Sequence, residues 1–383
     1  MRTAAVLLIS VWLVGCASAP PMPPTESLFH DQLFEAPSAP IRPDEAMAVS
    51  PEMRHYLASK IKSGAGFTDR KQQLIDALYR KDDLQLEYDA SLTRTAAQAF
   101  EARSGNCLAL VMMTAAFAKE LGLSVRYQTV LGDDSWDRVG DIYVSVGHVN
   151  LTLSDRPPQA GLGIMDTGQL TVDFVPPRNA RAVRARVIQE HTVVAMYLNN
   201  RAVESLTRGA ASDAYWWARE AIRKDPELLA AYITLGVVYR NRQQPELAEQ
   251  ALLRVAVREP GNTKAMSNRV LVLNDLGRHA EAAALRQQLA RLDPHPPFSY
   301  FHEGMAALRE RRFEAARSLF TKEVDRAPYH HEFQFWLALT YLELHDAGRA
   351  TVHLTRAMEV STTRKDHDLY AAKLGRLKAL GPQ

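Results

Sequence analysis

Residues 229–262 read LAAYITLGVVYRNRQQPELAEQALLRVAVREPGN. Two small residues, Gly236 and Ala248, would let a pair of helices approach closely. Pro260 then ends the second helix, because proline has no backbone N–H and clashes with the preceding turn. The stretch is therefore predicted to form two helices that pack against each other.

The same pattern recurs along the chain from about Val193 onward. Prolines recur every 34 residues (260−226 = 34), at Pro226, Pro260, Pro294 and Pro328. Alanines recur at the same spacing, at Ala214, Ala248, Ala282, Ala316 and Ala350. A second position with this spacing is small in four of its five occurrences, which are Ala202, Gly236, Val270, Gly304 and Ala338. This period and these small residues resemble the tetratricopeptide repeat, a helix–turn–helix unit. We predict an all-α solenoid of five tetratricopeptide repeats over residues 193–362, with a capping helix in residues 363–383. The usual tyrosine is replaced in three units, by Ser205, Leu273 and Ala307.

The composition excludes one class of partner. The chain has 383 residues, of which 46% are hydrophobic and 23% are charged, and its formal net charge is +2. The length indicates two or three domains. Because neither the charge nor an aromatic-basic patch favours nucleic acid, no nucleic-acid partner is predicted.

The N-terminus, MRTAAVLLISVWLVGC, is typical of an export signal. Arg2 precedes an apolar run from Ala4 to Val14, which is too short to span a bilayer. Residues 13–16, Leu-Val-Gly-Cys, resemble the bacterial lipobox, which implies cleavage and acylation at Cys16. The alternative is a plain secretory signal with an incidental cysteine. Several acyl chains would anchor the protein firmly to a membrane.

The resemblance to lipoproteins also implies a location. Ala17 is not the aspartate that favours retention at the inner membrane, so we expect an outer-membrane anchor with the protein facing the periplasm. Residues 17–43 are predicted to be an extended, poorly packed linker that holds the folded part off the membrane, because prolines crowd this stretch: Pro20, Pro21, Pro23, Pro24, Pro37, Pro40, Pro43.

A single thiol stands out between the linker and the repeats, in a predicted domain spanning residues 44–192. Residues 104–123 read SGNCLALVMMTAAFAKELGL, and an acylated Cys16 would leave Cys107 without a disulfide partner in an oxidising compartment. Asn106 is predicted to cap a buried helix that runs from Cys107 to about Leu121. A thiolate is stabilised at such a helix start by free N–H groups and the helix dipole.

Strands are predicted after this helix, over Val125–Leu131, Ile142–Leu153 and Leu170–Val175. The apolar pattern of the second strand changes phase near residue 147, which predicts a β-bulge at that glycine. After the change, His148 lies opposite the apolar face, as Asp173 does on the third strand. Both side chains are therefore expected side by side and in line with the thiol.

His148 is the best candidate for a base. Three histidines fall in residues 44–192, His55, His148 and His191, and only His148 lies within a strand pattern. A thiol nucleophile needs a base to deprotonate it and a third group to orient that base. Asp173 or Asp166 would be that third group.

The segments SGNCLALVMMTAAFAKELGLSVRYQTV, GHVNLTL and LTVDF are similar to the transglutaminase-like branch of papain-type thiol enzymes. The resemblance implies an α+β domain in which Cys107 is the nucleophile, His148 the general base and acid, and Asp173 the orienting residue. It implies no metal and no cofactor. Val149-Asn150 replaces the Ala-Trp that commonly follows the histidine in this family.

Two functions compete at this stage. The first is a thiol enzyme that cleaves or transfers an amide bond through a Cys107 thioester, with a protein or peptide bound in the groove of the repeats. The alternative is a non-catalytic scaffold in which Cys107 is a small core residue and the repeats recruit partners. The combination of lipobox, thiol domain and repeats resembles a recurring group of bacterial lipoproteins. A thiol redox role lacks a resolving cysteine.

Overall fold

The computed structural model describes residues 24–61, 67–79, 84, 86–89, 92–130, 135–139, 142–146, 148–154, 169–174, 185–328, 330–361 and 364–379. The predictions for Cys16, Gly147 and Asp166 lie outside these residues. None of the helices found in these ranges has both the length and the apolar character needed to cross a membrane.

The first half of the described chain combines helices and strands. In chain order they are α1 (Pro51–Lys60), α2 (Phe67–Tyr79), β1 (Glu87–Tyr88), α3 (Ala96–Ala102), β2 (Ser104–Gly105), α4 (Cys107–Glu120), β3 (Ser124–Val130), β4 (Ser135–Val139), β5 (Ile142–Val146), β6 (Val149–Ser154), β7 (Leu170–Val172) and β8 (Ala185–Ile188). β1 pairs in parallel with β2, directly before the Cys107 helix.

A four-stranded antiparallel sheet carries the candidate residues. Its strand order is β7-β6-β3-β8, and α4 packs on β6 and β3. Val149, Leu151 and Leu153 are fully buried in the same core as α4. All residues of α4 from Cys107 to Ala118 are buried, because α1, α2, α3 and α5 surround its other sides. The predicted buried helix is confirmed.

The prediction of one continuous strand over Ile142–Leu153 is wrong. β5 pairs with β4 in a separate two-stranded sheet, whereas β6 pairs with β3 and β7. The change of phase in the apolar pattern thus marks a change of sheet. Each strand keeps its own alternation of apolar and polar residues, and His148 lies directly before β6.

The second half is built of paired helices. They are α5 (Glu190–Thr207), α6 (Ala211–Lys224), α7 (Leu229–Asn241), α8 (Pro245–Arg258), α9 (Thr263–Asp275), α10 (His279–Leu292), α11 (Ser299–Arg309), α12 (Phe313–Arg326), α13 (His331–Glu343), α14 (Ala347–Glu359) and α15 (Arg364–Ala379). Consecutive helices pack in pairs from α5/α6 to α13/α14, and α15 packs on α14. The prediction of an all-α repeat solenoid is confirmed.

The turns within the helix pairs repeat one backbone conformation. The residue two positions after each first helix has a left-handed φ, between 57° and 76°, in all five pairs: Gly209, Gln243, Gly277, Arg311, His345. These residues are spaced by 34 (243−209 = 34). Non-glycine residues in this region cost roughly 1–2 kcal/mol each, so the turn is imposed by helix packing rather than by local preference.

The small residues of the repeat make the close contacts that the spacing predicts. A Cβ atom on Gly236 would lie 2.9 Å from Cγ of Leu252, and one on Gly304 would lie 2.8 Å from Cε1 of Phe320. In both cases the contact joins the first helix of a unit to its second helix. A side chain at either glycine would push the pair apart.

The repeats belong to more than one hydrophobic core. One core extends from Leu28 through α4 and the sheet to Val272, and Phe298 begins another that continues through α13. Between them, α10 buries only Ala282, and Leu292 is half exposed. The sequence of α10 explains this, since alanines, arginines and glutamines occupy most of its positions. The first repeats are thus continuous with the α+β half, while the last ones and α15 form separate cores of their own.

Residues 24–43, which we call the strap, differ from the poorly packed linker that their prolines predict. The Phe34 ring stacks on Tyr215 of α6 with 3.9 Å between centroids and 5° between planes. The Tyr239 hydroxyl of α7 donates to the Leu28 carbonyl at 2.6 Å, and both strap side chains are buried. Apolar residues between the prolines therefore fix the strap on the first two repeats.

Ion pairs add to this attachment. Arg223 of α6 donates to Glu26 at 2.9 Å, and Arg219 lies 3.1 Å from Asp31. Such partly exposed pairs contribute little individually, about 0.2–1 kcal/mol. The buried ring of Phe34 is therefore the main contribution, since removing a buried phenylalanine costs about 3–5 kcal/mol.

The first repeat helix is also joined to the α+β half by a charged cluster. Glu190, the first residue of α5, pairs with Lys119 near the end of α4. The Tyr127 hydroxyl of β3 donates to the same carboxylate at 2.8 Å. Sheet, Cys107 helix and first repeat helix thus meet at one carboxylate.

Candidate active site

Cys107 is the first residue of α4, as the sequence predicts. The Asn106 side chain accepts a hydrogen bond from the Ala109 N–H at 2.9 Å, which confirms the predicted N-cap. Gly105 fits closely below this turn, since a Cβ atom there would lie 2.9 Å from that of Ala109. The cap satisfies the Ala109 N–H. The Cys107 N–H, two residues earlier, also lies in the first turn, where backbone N–H groups have no acceptor within the helix. Cys107 itself is 3% exposed.

His148 stands between the thiol and a carboxylate. Its Nε2 lies 2.8 Å from Oδ2 of Asp173, and its ring also hydrogen-bonds Cys107. Because Nε2 is engaged by the carboxylate, Nδ1 is the nitrogen that remains for the thiol. The structure therefore brings together the three residues that sequence reasoning selected.

The charge environment favours a protonated His148. Burial of the ring lowers its pKa, but the hydrogen bonds to Asp173 and Cys107, together with their negative charges, outweigh burial and raise the pKa to about 10. An imidazolium placed between a carboxylate and a thiol can stabilise a thiolate when it forms and can later donate a proton. This is the electrostatic arrangement that an activated thiol requires.

Strand register places the carboxylate. Leu151 pairs with Val172 across β6 and β7, so the next pair along the strands sets Asn150 opposite Asp173. Asn150 donates from Nδ2 to Oδ2 of Asp173 at 3.3 Å, and it is buried. The oxygen that binds His148 thus has a second donor.

Sequence reasoning missed this role of Asn150. The residue stood out only as a departure from the aromatic that follows the histidine in the resembling family. A signal was present, since residues of even number in this strand all lie opposite its apolar face: His148, Asn150, Thr152, Ser154. The pairing with Asp173 needs the register, which the sequence does not contain.

The other two histidines of residues 44–192 lie elsewhere. His55 is exposed on α1, and His191 is half exposed on α5 with its Nε2 3.8 Å from Asp225. Within the described residues, no group of three or more His, Cys, Asp or Glu side chains is arranged to hold a metal ion.

Comparisons with known proteins found matches among solved structures only. No protein-family model matches the chain, and neither does any curated protein sequence. Among solved structures, it is similar to YrrB, "a TPR protein with an unusual peptide-binding site" (20% identity, 47% of this chain and 92% of that one, TM-score 0.25). It is also similar to TTC0263 of Thermus thermophilus, a thermophilic TPR protein (15%, 47% and 98%, TM-score 0.30), and to MamA from Desulfovibrio magneticus (19%, 45% and 96%, TM-score 0.26). The assignment of tetratricopeptide-like repeats rests on the helix pairs, their turns and their small residues.

Proposed function

We propose that this chain is a transglutaminase-like thiol enzyme of the bacterial envelope, which cleaves or transfers an amide bond of a peptide or protein. The observation that carries the proposal is the position of His148, bonded to Asp173 at 2.8 Å and to Cys107. A histidine that only filled the core would need neither a carboxylate partner nor a position next to the first residue of a buried helix.

The reaction follows from these positions. The Cys107 thiolate attacks the carbonyl carbon of the amide, and the oxygen that becomes negative accepts a hydrogen bond from the Cys107 N–H. His148 donates its proton to the departing amine, which leaves a thioester on Sγ. Neutral His148 then takes a proton from water or from a second amine as it attacks, the acyl product leaves, and the thiolate with its imidazolium is restored.

The repeats would supply the substrate or a partner. Solenoids of this kind have extended surfaces that suit peptide or protein ligands. The first repeat helix shares a core with the Cys107 helix, so a ligand held there would lie on the same body as the thiol. An acyl anchor at Cys16 would place the protein at the outer membrane, facing the periplasm.

A pH profile of thiol reactivity tests the enzyme proposal. The full chain carrying Cys16→Ser, in which Cys107 is the sole thiol, is treated with iodoacetamide between pH 5 and 10, beside His148→Ala and a Cys107→Ala blank. We expect rapid alkylation at pH 6 that His148→Ala slows by about a hundredfold, as for removal of a general base. Alkylation that begins only above about pH 8, as for a free thiol, and is unchanged in His148→Ala would refute the proposal.

A second assay decides the acceptor. A glutamine-containing peptide is incubated with the enzyme, with and without a fluorescent primary amine. Release of ammonia in water alone indicates hydrolysis, and labelled peptide indicates transamidation. Both products should disappear in Cys107→Ala.

The low exposure of Cys107 favours a second candidate function. A thiol that is 3% exposed gives a large substrate little access. In that case the α+β half is a rigid platform for the repeats, and the protein is a scaffold that binds partners. If the protein is a scaffold, we expect Cys107→Ala to keep its partner binding. We also expect no alkylation of the wild-type thiol below pH 8.

A further inference from the structure

Thr93 is a buried residue that the proposed reaction does not use. It lies between β1 and α3 and is 1% exposed. Its N–H donates to Oε1 of Glu204 at 2.6 Å, and its carbonyl accepts from Arg201 at 3.4 Å. Both partners belong to α5, the first helix of the repeats. The backbone of Thr93 is thus held from the repeat side.

The Thr93 side chain reaches the Cys107 helix. Oγ1 accepts from Nδ2 of Asn106 at 2.8 Å and from Nδ2 of Asn200 on α5 at 3.2 Å. The N–H, the carbonyl and the hydroxyl oxygen of Thr93 thus each have a partner, and all of these partners but one lie on α5.

The remaining partner, Asn106, is the cap of α4. Since its Nδ2 is directed to Thr93, its Oδ1 is directed to the Ala109 N–H, which it binds at 2.9 Å. A continuous path of hydrogen bonds thus runs from Glu204 through Thr93 and Asn106 to the first turn of α4. Cys107 lies in that turn, between the cap and Ala109.

We propose that Thr93 and Glu204 are positioning residues, through which the first repeat helix fixes the start of the Cys107 helix in its reactive geometry. The inference rests on the proposed function, because it assigns to these residues the placing of the Cys107 thiol and N–H. Neither residue touches the reacting atoms.

The burial of Glu204 supports a positioning role. Its side chain is 16% exposed, and its nearest cation, Arg201, lies 3.5 Å away. Removing a carboxylate from water costs a large desolvation free energy, which the attraction within a single ion pair does not reliably offset. Apolar side chains would join α5 to the neighbouring loop at least as firmly. A buried acceptor is useful instead because it fixes the direction of the Thr93 N–H.

Matched threonine variants test the inference. In the full Cys16→Ser chain, Thr93→Val removes the hydroxyl and keeps the branched shape, and Thr93→Ser keeps the hydroxyl. Thr114→Val is the control, since Thr114 is equally buried, lies in α4, and uses its hydroxyl only for the Leu110 carbonyl at 2.8 Å. The readouts are the iodoacetamide profile of Cys107 between pH 5 and 10 and the melting temperature.

We expect Thr93→Val to move the midpoint of the profile upward by about one pH unit, which slows alkylation at pH 6 by about tenfold. Thr93→Ser should lie within about twofold of wild type, the resolution of such rate comparisons. Thr114→Val should lower the melting temperature without moving the profile. Glu204→Gln should move the profile in the same direction, and it serves as the test if Thr93→Val does not fold.

Two results would overturn the inference. One is a Thr93→Val profile that superimposes on wild type, and the other is a Thr93→Ser profile that matches Thr93→Val. Failure of the proposed function has a different signature. In that case wild type itself reacts only above about pH 8, and His148→Ala changes nothing. A wild-type profile that depends on His148 but not on Thr93 rejects the positioning role alone.

Discussion

His148 and His353 show how partner chemistry decides the charge of an enclosed imidazole. His148 lies next to a carboxylate and a thiol, and its pKa is raised to about 10. His353 of α14 bonds the neutral Gln334 at 2.8 Å and stacks on Tyr341 with 9° between the planes, and burial lowers its pKa. The same side chain is a candidate catalytic group in the α+β half and a neutral packing element in the repeats.

The largest effect is expected from Asp173→Asn. The variant keeps the shape but removes the charge that holds the imidazolium. Opposite charges at this distance shift a pKa by about 1–3 units, so the pKa of His148 should fall by about two units and alkylation of Cys107 at pH 6 should slow by about a hundredfold. NMR titration of the histidine ring protons measures the first change, and iodoacetamide measures the second.

Asp225→Asn is the matched control for Asp173→Asn. Asp225 lies 3.8 Å from His191, outside the candidate site. Its substitution should leave the alkylation profile of Cys107 unchanged. If His148 still titrates near pH 10 in Asp173→Asn, the carboxylate does not set its charge, and the contrast with His353 has another cause.

The reverse exchange should convert His353. Gln334→Glu places a carboxylate where a neutral amide oxygen now lies, so the pKa of His353 should move from below its ordinary value to above it, by about 1–2 units in total. The variant also loses the Gln334 N–H that donates to the Pro328 carbonyl at 2.7 Å. Stability should therefore fall by about 1–2 kcal/mol. Gln334→Met removes the acceptor without adding charge, and a pKa that rises equally in both variants would contradict the expectation.

The two histidines should have opposite effects on stability as pH changes. The raised pKa of His148 means that its contribution is complete below pH 6.5 and is lost as pH rises from 6.5 to about 10. The lowered pKa of His353 means that its contribution is complete above pH 6.5 and is lost as pH falls through its folded-state pKa. The destabilisation by His148→Gln should thus shrink at high pH, and that by His353→Gln at low pH.

Urea unfolding followed by circular dichroism at pH 5, 6.5, 8 and 9.5 measures these slopes. His55→Gln is the control, because His55 is exposed on α1. If the destabilisation by His148→Gln and that by His353→Gln changed with pH in the same way, burial alone would set the pKa of both rings.

The smallest effect is expected from Asn150→Ala. It removes one hydrogen bond to Asp173, of 3.3 Å, and leaves the carboxylate and His148 in place. A net loss of about 0.5–1 kcal/mol corresponds to alkylation at pH 6 that is about threefold slower. Thr152→Val, two residues along the same strand, removes a hydroxyl that bonds Thr171 at 3.1 Å and should leave the rate unchanged. An equal loss in both variants would mean that the strand, and not Asn150, supports Asp173.

Local signals predicted much of the fold and the candidate site. The spacing of small residues and prolines predicts the helix pairs, because close helix contacts need small side chains at fixed positions, as at Gly236 and Gly304. The cap at Asn106 and the polar face of the strand at His148 depend on neighbours within a few residues. These signals were enough to select Cys107, His148 and Asp173 from the sequence.

Contacts between distant segments could not be predicted. The strap residue Phe34 meets Tyr215, and Thr93 meets Glu204, more than a hundred residues further along the chain. Composition also misled, since prolines predicted a loose strap while Leu28 and Phe34 fix it on the repeats. The two strands β5 and β6 were misread as one, because a change of phase in the apolar pattern also arises at a bulge within a single strand.

The attachment of the strap limits how far the protein could stand from a membrane. A free linker over residues 17–43 would reach roughly 90 Å when fully extended, at about 3.3–3.6 Å per residue. The strap is already bound to α6 at Glu26, ten residues after Cys16 (26−16 = 10). With an acyl anchor at Cys16, the free segment between Cys16 and Glu26 is therefore at most about 35 Å long, close to the thickness of one bilayer. The first two repeats would then work within that distance of the lipid surface, where they could reach partners in or near the membrane.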